Sequence, residues 1–181
     1  MDGLEFVFSL FGLLLGLALT EALSGLARAL KAKHRVRIGW PTALLGMLVA
    51  CDVVTFWMFG WSLRKQLQVS WPLMFGGFVV TGIYYVCASL IFPDDDAEDY
   101  DAHFERVRRM VLTGVLVCNV ALVGFTLNFV PTLAFVNLRA AVLTWTFFPT
   151  ALAAILAKDR RIVLACMGWL IALYPLSVVW S

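Results

Sequence analysis

The sequence predicts an all-α integral membrane protein, a bundle of six transmembrane helices with both termini outside the cytoplasm. Its composition is the first observation, because 62% of the 181 residues are hydrophobic and only 14% are charged. Soluble domains are about half apolar and about a quarter charged. The other two observations are six apolar stretches of bilayer-crossing length and an uneven distribution of Lys and Arg.

The six apolar stretches occupy nearly the whole chain, so residues 1–181 form a single transmembrane domain. In lipid, a helix satisfies its backbone polar groups within one segment, and we therefore expect every stretch to be helical. The links between the stretches are short, which makes consecutive helices antiparallel neighbours. The predicted spans are about 4–30, 40–63, 71–92, 107–130, 134–157 and 162–180.

The basic residues predict the orientation of the bundle, since cytoplasmic links are enriched in Lys and Arg. Eleven of the fourteen lie in the links after spans one, three and five, so those links should be cytoplasmic. The eleven are Arg28, Lys31, Lys33, Arg35, Arg37, Arg106, Arg108, Arg109, Lys158, Arg160 and Arg161, against Arg64, Lys65 and Arg139 on the other side.

Span one carries an acidic residue within its apolar stretch. Glu21 lies about 14 Å from the cytoplasmic end of the helix, and Ser24 and Arg28 share its face. Gly12 and Gly16 form a GxxxG pair on roughly the opposite face, where another helix could approach closely. That helix belongs either to the same chain, which is the favoured interpretation, or to a second copy.

Spans two, three and four each add a polar group near mid-membrane. Asp52 lies about 18 Å from the cytoplasmic end of span two, and Thr81 and Asn119 reach similar depths. An ionised carboxylate at that depth costs about 2.5–3.5 kcal/mol, so it must face the protein interior, water or a partner. Glu21, Asp52, Thr81 and Asn119 are therefore the candidate transport or titratable site, with Ser24 and Arg28 in support.

Spans five and six contain the internal prolines Pro149 and Pro175. Each proline frees the carbonyl four residues earlier and is expected to kink its helix. In membrane proteins such kinks are either structural or lie beside a cavity lined by backbone. The structural interpretation is favoured here.

The segment 93–106 is predicted to be an acidic cytoplasmic loop. It matches a calcium-binding loop poorly, because Asp99 stands where the sharp turn requires glycine. Its acidic residues should stabilise the N-terminus of span four, where Glu105 can pair with Arg109. The four cysteines lack metal-binding or CxxC spacing and are interpreted as packed thiols, so no metal site is predicted.

Three short stretches resemble an uncharacterised group of small bacterial multi-span inner-membrane proteins. They are Glu21-Ala-Leu-Ser-Gly-Leu-Ala-Arg28, Tyr84-Tyr85 with Leu90-Ile-Phe-Pro93, and Asp101 with Phe104 and Arg108-Arg109. The resemblance implies a bacterial inner (plasma) membrane protein. It implies no activity.

Two functions remain open from the sequence, and transport is the favoured interpretation. In the first, the polar layer binds a proton or cation in a small channel or transporter. In the second, Glu21 and Asp52 are structural, and the bundle is a non-catalytic accessory subunit that scaffolds other membrane proteins. A solvated cavity joining the two carboxylates would favour transport, whereas carboxyls capped by Arg28, Ser24 or Asn119 in a dry interior would favour the structural role.

Neither an enzyme nor a nucleic-acid-binding protein is expected. His34 and His103 lie in links away from any nucleophile, and no phosphate-binding loop or serine elbow is present. The net charge of +2 is too small to indicate nucleic acid. The expected partners are membrane lipids and either further copies of the chain or another membrane protein, and no cofactor is expected.

Overall fold

The computed structural model describes residues 3–32, 39–64, 66–93, 99–129 and 138–179. Within these ranges the chain forms six α-helices and no strand, as the sequence predicts. Five of the helices are long and apolar enough to cross a membrane. The helices are α1 (Gly3–Ala32), α2 (Trp40–Leu63), α3 (Trp71–Ile91), α4 (Tyr100–Phe129), α5 (Leu138–Leu156) and α6 (Arg160–Val179).

Two helices differ in length from the predicted spans. In α5, the apolar stretch Ala141–Leu156 is shorter than a membrane span, and residues 130–137 before it lie outside the described part of the chain. In α4, the helix begins at Tyr100, so half of the predicted acidic loop is helical. The cause is an N-terminal cap, because the Asp99 carboxylate accepts the backbone N–H of Asp101 at 2.9 Å.

The bundle is built around α2, which contacts α1, α3, α4 and α6. The longest shared interface joins α1 to α3, and α5 lies outside against α4 and α6. Consequently, a residue in the middle of α2 can be surrounded by side chains from several helices at once. Leu48, Val49 and Val53 of α2 are almost completely buried in this way.

Small residues allow the helices to approach closely. A Cβ atom at Gly25 of α1 would overlap the ring of Phe92, and one at Gly77 of α3 would overlap the ring of Phe11. Gly12 lies against Trp57, where a Cβ would be 3.0 Å from the indole, while a Cβ at Gly16 would meet open space. Gly12 and Gly16 therefore do not form a single helix-packing interface, since Gly12 packs within the chain and Gly16 is exposed.

We call the end where α1, α3 and α5 finish the basic end, because most of the Lys and Arg residues lie there. Buried Arg108 of α4 donates hydrogen bonds to the carbonyls of Ala154 and Ala157 at 3.1 and 3.0 Å, which caps the C-terminus of α5. Its Nε also lies 2.7 Å from Glu105. Glu105 thus pairs with Arg108, and the expected pair with Arg109 is absent because Arg108 is the residue that faces α5.

Both α5 and α6 continue through their internal prolines. Pro149 lies within Leu138–Leu156 and Pro175 within Arg160–Val179. Neither proline ends its helix. The kinks expected at these positions remain predictions.

Candidate functional site

Asp52 is the buried acidic residue at the centre of the bundle. It lies midway along α2, with 2% of its surface exposed. The surrounding helix is mostly apolar and carries Pro41 in its first turn, where the missing N–H of proline needs no partner. Because α2 contacts four other helices, the side chain of Asp52 points into the interior.

Three side chains from three other helices donate hydrogen bonds to Asp52. Tyr84 of α3 donates its hydroxyl to Oδ2 at 2.8 Å, and Tyr174 of α6 donates its hydroxyl to Oδ1 at 2.8 Å. Asn119 of α4 contacts both oxygens through Nδ2, at 3.0 Å from Oδ1 and 2.8 Å from Oδ2. We call Asp52, Tyr84, Asn119 and Tyr174 the Asp52 node.

The node satisfies the carboxylate with neutral groups. A carboxylate has about four lone-pair positions, and each oxygen of Asp52 accepts two contacts. Asn119 also donates Nδ2 to the carbonyl of Val115 at 3.0 Å, so its amide is held from a second direction. In the described part of the chain, no charged side chain donates to Asp52. The arrangement therefore stabilises a buried carboxylate by hydrogen bonding alone.

Thr81 lies outside the node although it is buried. Its hydroxyl donates to the carbonyls of Gly77 and Phe78 in the same helix, at 2.8 and 3.1 Å. Such a bond to the preceding turn satisfies a hydroxyl inside an apolar helix without a partner on another helix. Of the four predicted site residues, only Asp52 and Asn119 therefore hydrogen-bond to each other.

Glu21 makes no hydrogen bond to Asp52. The face of α1 that packs into the bundle carries Ala18, Ala22 and Ala29, and Glu21 lies about 80° from its centre. Glu21 is consequently only half-buried, and Ser24 and Arg28 are exposed on α1. The predicted pairing of the two carboxylates is absent because the packing face of α1 turns Glu21 away from the node.

The sequence reasoning did not select Tyr84 and Tyr174. Their depth was the available signal, since they lie about 20 Å from the starts of α3 and α6 at 1.5 Å per residue. Tyrosine in membrane helices is enriched near the interfaces, and a hydroxyl at mid-membrane needs an internal partner. Two tyrosines at this depth indicate an acceptor between them.

Two thiols connect α3 and α4 beside the node. Cys87 donates to the carbonyl of Val111 and Cys118 to the carbonyl of Val80, each at 3.7 Å. Both cysteines are buried, and Gly114 lies so close to Cys87 that a Cβ would overlap the sulfur. Within the described residues, no three His, Cys, Asp or Glu side chains are grouped to hold a metal ion.

The geometry defines an apolar helical bundle, compatible with a polytopic membrane protein, with a buried polar cluster around Asp52. No protein-family model, curated protein or solved structure matches the chain.

Proposed function

We propose that the protein is a non-catalytic structural or accessory subunit of a bacterial inner membrane, in which the Asp52 node holds the bundle together. The observation that carries this proposal is the ring of three interior donors around the buried Asp52 carboxylate. Each oxygen receives two hydrogen-bond contacts, and the side chain is 2% exposed. Asn119 is one of these donors, and a carboxylate capped by Asn119 is the arrangement expected for a structural role.

Transport would require the carboxylate to exchange a partner. A cation bound at Asp52 would have to compete with three neutral donors that already contact both carboxylate oxygens. A proton bound there would compete with the same donors. Glu21, the second carboxylate of the transport hypothesis, contributes no hydrogen bond that could relay either of them.

An accessory subunit acts through its lipid-facing surface. Exposed apolar side chains cover all six helices of the described part of the chain, so the partners are membrane lipid and other transmembrane helices, including further copies of this chain. On α1, Gly16 leaves an open notch beside exposed Leu13 and Leu17. A small residue between larger ones is the kind of surface against which a second helix packs.

Flux measurements test this proposal against transport. The purified protein, Glu21→Gln and Asp52→Asn would be reconstituted into liposomes, and proton and potassium flux measured at two pH values. We expect each protein to give the same flux as protein-free liposomes at both pH values. A pH-dependent flux in the parent that either substitution abolishes would refute the structural role.

A further inference from the structure

A cavity of about 190 Å³ lies among the first four helices, and no residue of the Asp52 node lines it. It occupies the half of the bundle opposite the basic end, between the first half of α1, the last half of α2, the start of α3 and the end of α4. Phe8, Trp57 and Phe125 are among its lining side chains. Its volume exceeds the roughly 150 Å³ of cavities that stay dry and bind benzene.

The cavity is lined only by apolar residues and opens towards lipid. Every lining residue is hydrophobic, glycine or proline, and the indole N–H of Trp57 is the one side-chain hydrogen-bonding group among them, so water or an ion would find few partners on the wall. Gly76 of α3 and Ala121 and Phe125 of α4 line it and are also exposed. These residues lie on helices that can span a membrane, so the opening faces hydrocarbon chains.

A cationic group lies near the same cavity, although it does not itself line it. Arg64 immediately follows the lining residue Leu63, and its guanidinium lies 4.3 Å from the centre of the Trp61 ring. Trp61 in turn stacks on Trp57 and contacts Phe8 edge-on, and both of these line the cavity. The guanidinium donates Nη1 to the Trp61 carbonyl at 2.8 Å and pairs with no acidic side chain of the described residues.

The position of this charge is exceptional in the sequence. Eleven of the fourteen Lys and Arg residues belong to the links at the basic end, whereas Arg64 and Lys65 are adjacent at the other end. Membrane proteins generally place few basic residues on that side, so orientation does not explain this pair. A guanidinium suits a phosphate diester because its planar N–H groups match the oxygens.

We propose that the cavity binds an anionic phospholipid, with one acyl chain between α1, α2, α3 and α4 and the headgroup phosphate at Arg64. The apolar cavity, which is open to the bilayer, favours an acyl chain. The positive charge of Arg64 favours an anionic headgroup. The occupant is a lipid of the leaflet opposite the basic end. This site is independent of the accessory role, since it involves none of the residues of the Asp52 node.

Filling the cavity tests the acyl-chain half of the proposal. Gly76 lines the cavity at its exposed side and a Cβ there meets no atom within 4 Å, so Gly76→Leu adds apolar volume at the opening of the cavity. Gly60→Leu fills it from α2, where the nearest atom to a Cβ is Phe8 Cε1 at 3.5 Å, and serves as a second variant should one of them fold poorly. Gly82→Leu is the matched control, because it also has open space on α3 but does not line the cavity.

The proteins would be incorporated into nanodiscs containing equal amounts of phosphatidylglycerol and phosphatidylcholine that carry identical acyl chains. The lipid molecules retained by each protein would be counted by native mass spectrometry. We expect the parent and Gly82→Leu to retain phosphatidylglycerol preferentially. Each methylene removed from an apolar site costs about fourfold in affinity, so both cavity-filling variants should retain at least about tenfold less. Arg64→Gln should still retain lipid but without preference for phosphatidylglycerol.

Two results would overturn the proposal. The first is equal lipid retention by four proteins, namely the parent, Gly76→Leu, Gly60→Leu and Gly82→Leu. That result would show that the cavity holds no acyl chain. An unchanged preference for phosphatidylglycerol in Arg64→Gln would show that Arg64 does not select the headgroup. Because native mass spectrometry measures lipid retention directly, neither result depends on whether the protein transports an ion.

Discussion

At the scale of single residues, the hydroxyls of Tyr84 and Tyr174 offset the cost of burying Asp52. They lie on different helices and donate to different oxygens of the carboxylate, each at 2.8 Å. Both bonds lie inside the bundle, because Tyr84 is fully buried and Asp52 nearly so.

The first prediction concerns these two hydroxyls. Tyr84→Phe and Tyr174→Phe should each lower the free energy of unfolding by about 0.6–1.7 kcal/mol, which runs from the average to the largest contribution of a side-chain hydrogen bond inside a membrane bundle. Thermal unfolding in detergent would measure the change. Tyr85→Phe is the matched control, since Tyr85 is 39% exposed and lies next to Tyr84. Equal effects at Tyr84 and Tyr85 would contradict the node.

The residues of the node were half predictable from the sequence. Asp52 and Asn119 stand out as polar residues deep in apolar stretches. Tyr84 and Tyr174 do not, since tyrosine is compatible with either the interface or the interior. Glu21 stands out as clearly as Asp52, yet the two carboxylates do not hydrogen-bond, because which face of α1 packs inward depends on its neighbours.

At the scale of the helices, Arg108 attaches α4 to the end of α5. Its guanidinium contacts two carbonyls at the C-terminus of α5 and the carboxylate of Glu105. A helix C-terminus carries partial negative charge, which a cation stabilises. The side chain is 3% exposed, so this attachment is part of the packed interior at the basic end.

The second prediction tests this attachment. Arg108→Gln should lower the free energy of unfolding by about 1–3 kcal/mol, because the last carbonyls of α5 lose their donors. Hydrogen exchange should also accelerate at the C-terminal amides of α5. Arg109→Gln, at the next and exposed position, should change neither quantity. Comparable destabilisation by the two substitutions would show that Arg108 contributes only its charge.

The sequence predicts the ends of a helix correctly wherever the helix and its apolar stretch start and end at the same residues. The bounds of α2 agree with the prediction because Trp40-Pro41 marks its start. The start of α4 was missed because its first two turns are polar and extend beyond the apolar stretch. Asp99, which caps that helix, was the available signal.

At the scale of the whole molecule, the distribution of basic residues predicts the orientation of the bundle in the membrane. The third prediction is that a reporter active only in the cytoplasm is silent when fused after Ser181. The same reporter inserted between Asp95 and Asp96 should be active, since that link belongs to the basic end. The reverse pattern of activity would refute the orientation with both termini outside.

The central claim is that Asp52 joins four helices, α2, α3, α4 and α6, into one cooperative unit. The most direct test is the free energy of unfolding of Asp52→Asn in detergent. The substitution removes acceptor positions and directs N–H groups at three donors, so we predict a loss of about 2–4 kcal/mol. Glu21→Gln removes the same charge outside the node and should cost less than about 0.5 kcal/mol. An Asp52→Asn protein as stable as the parent would contradict the account.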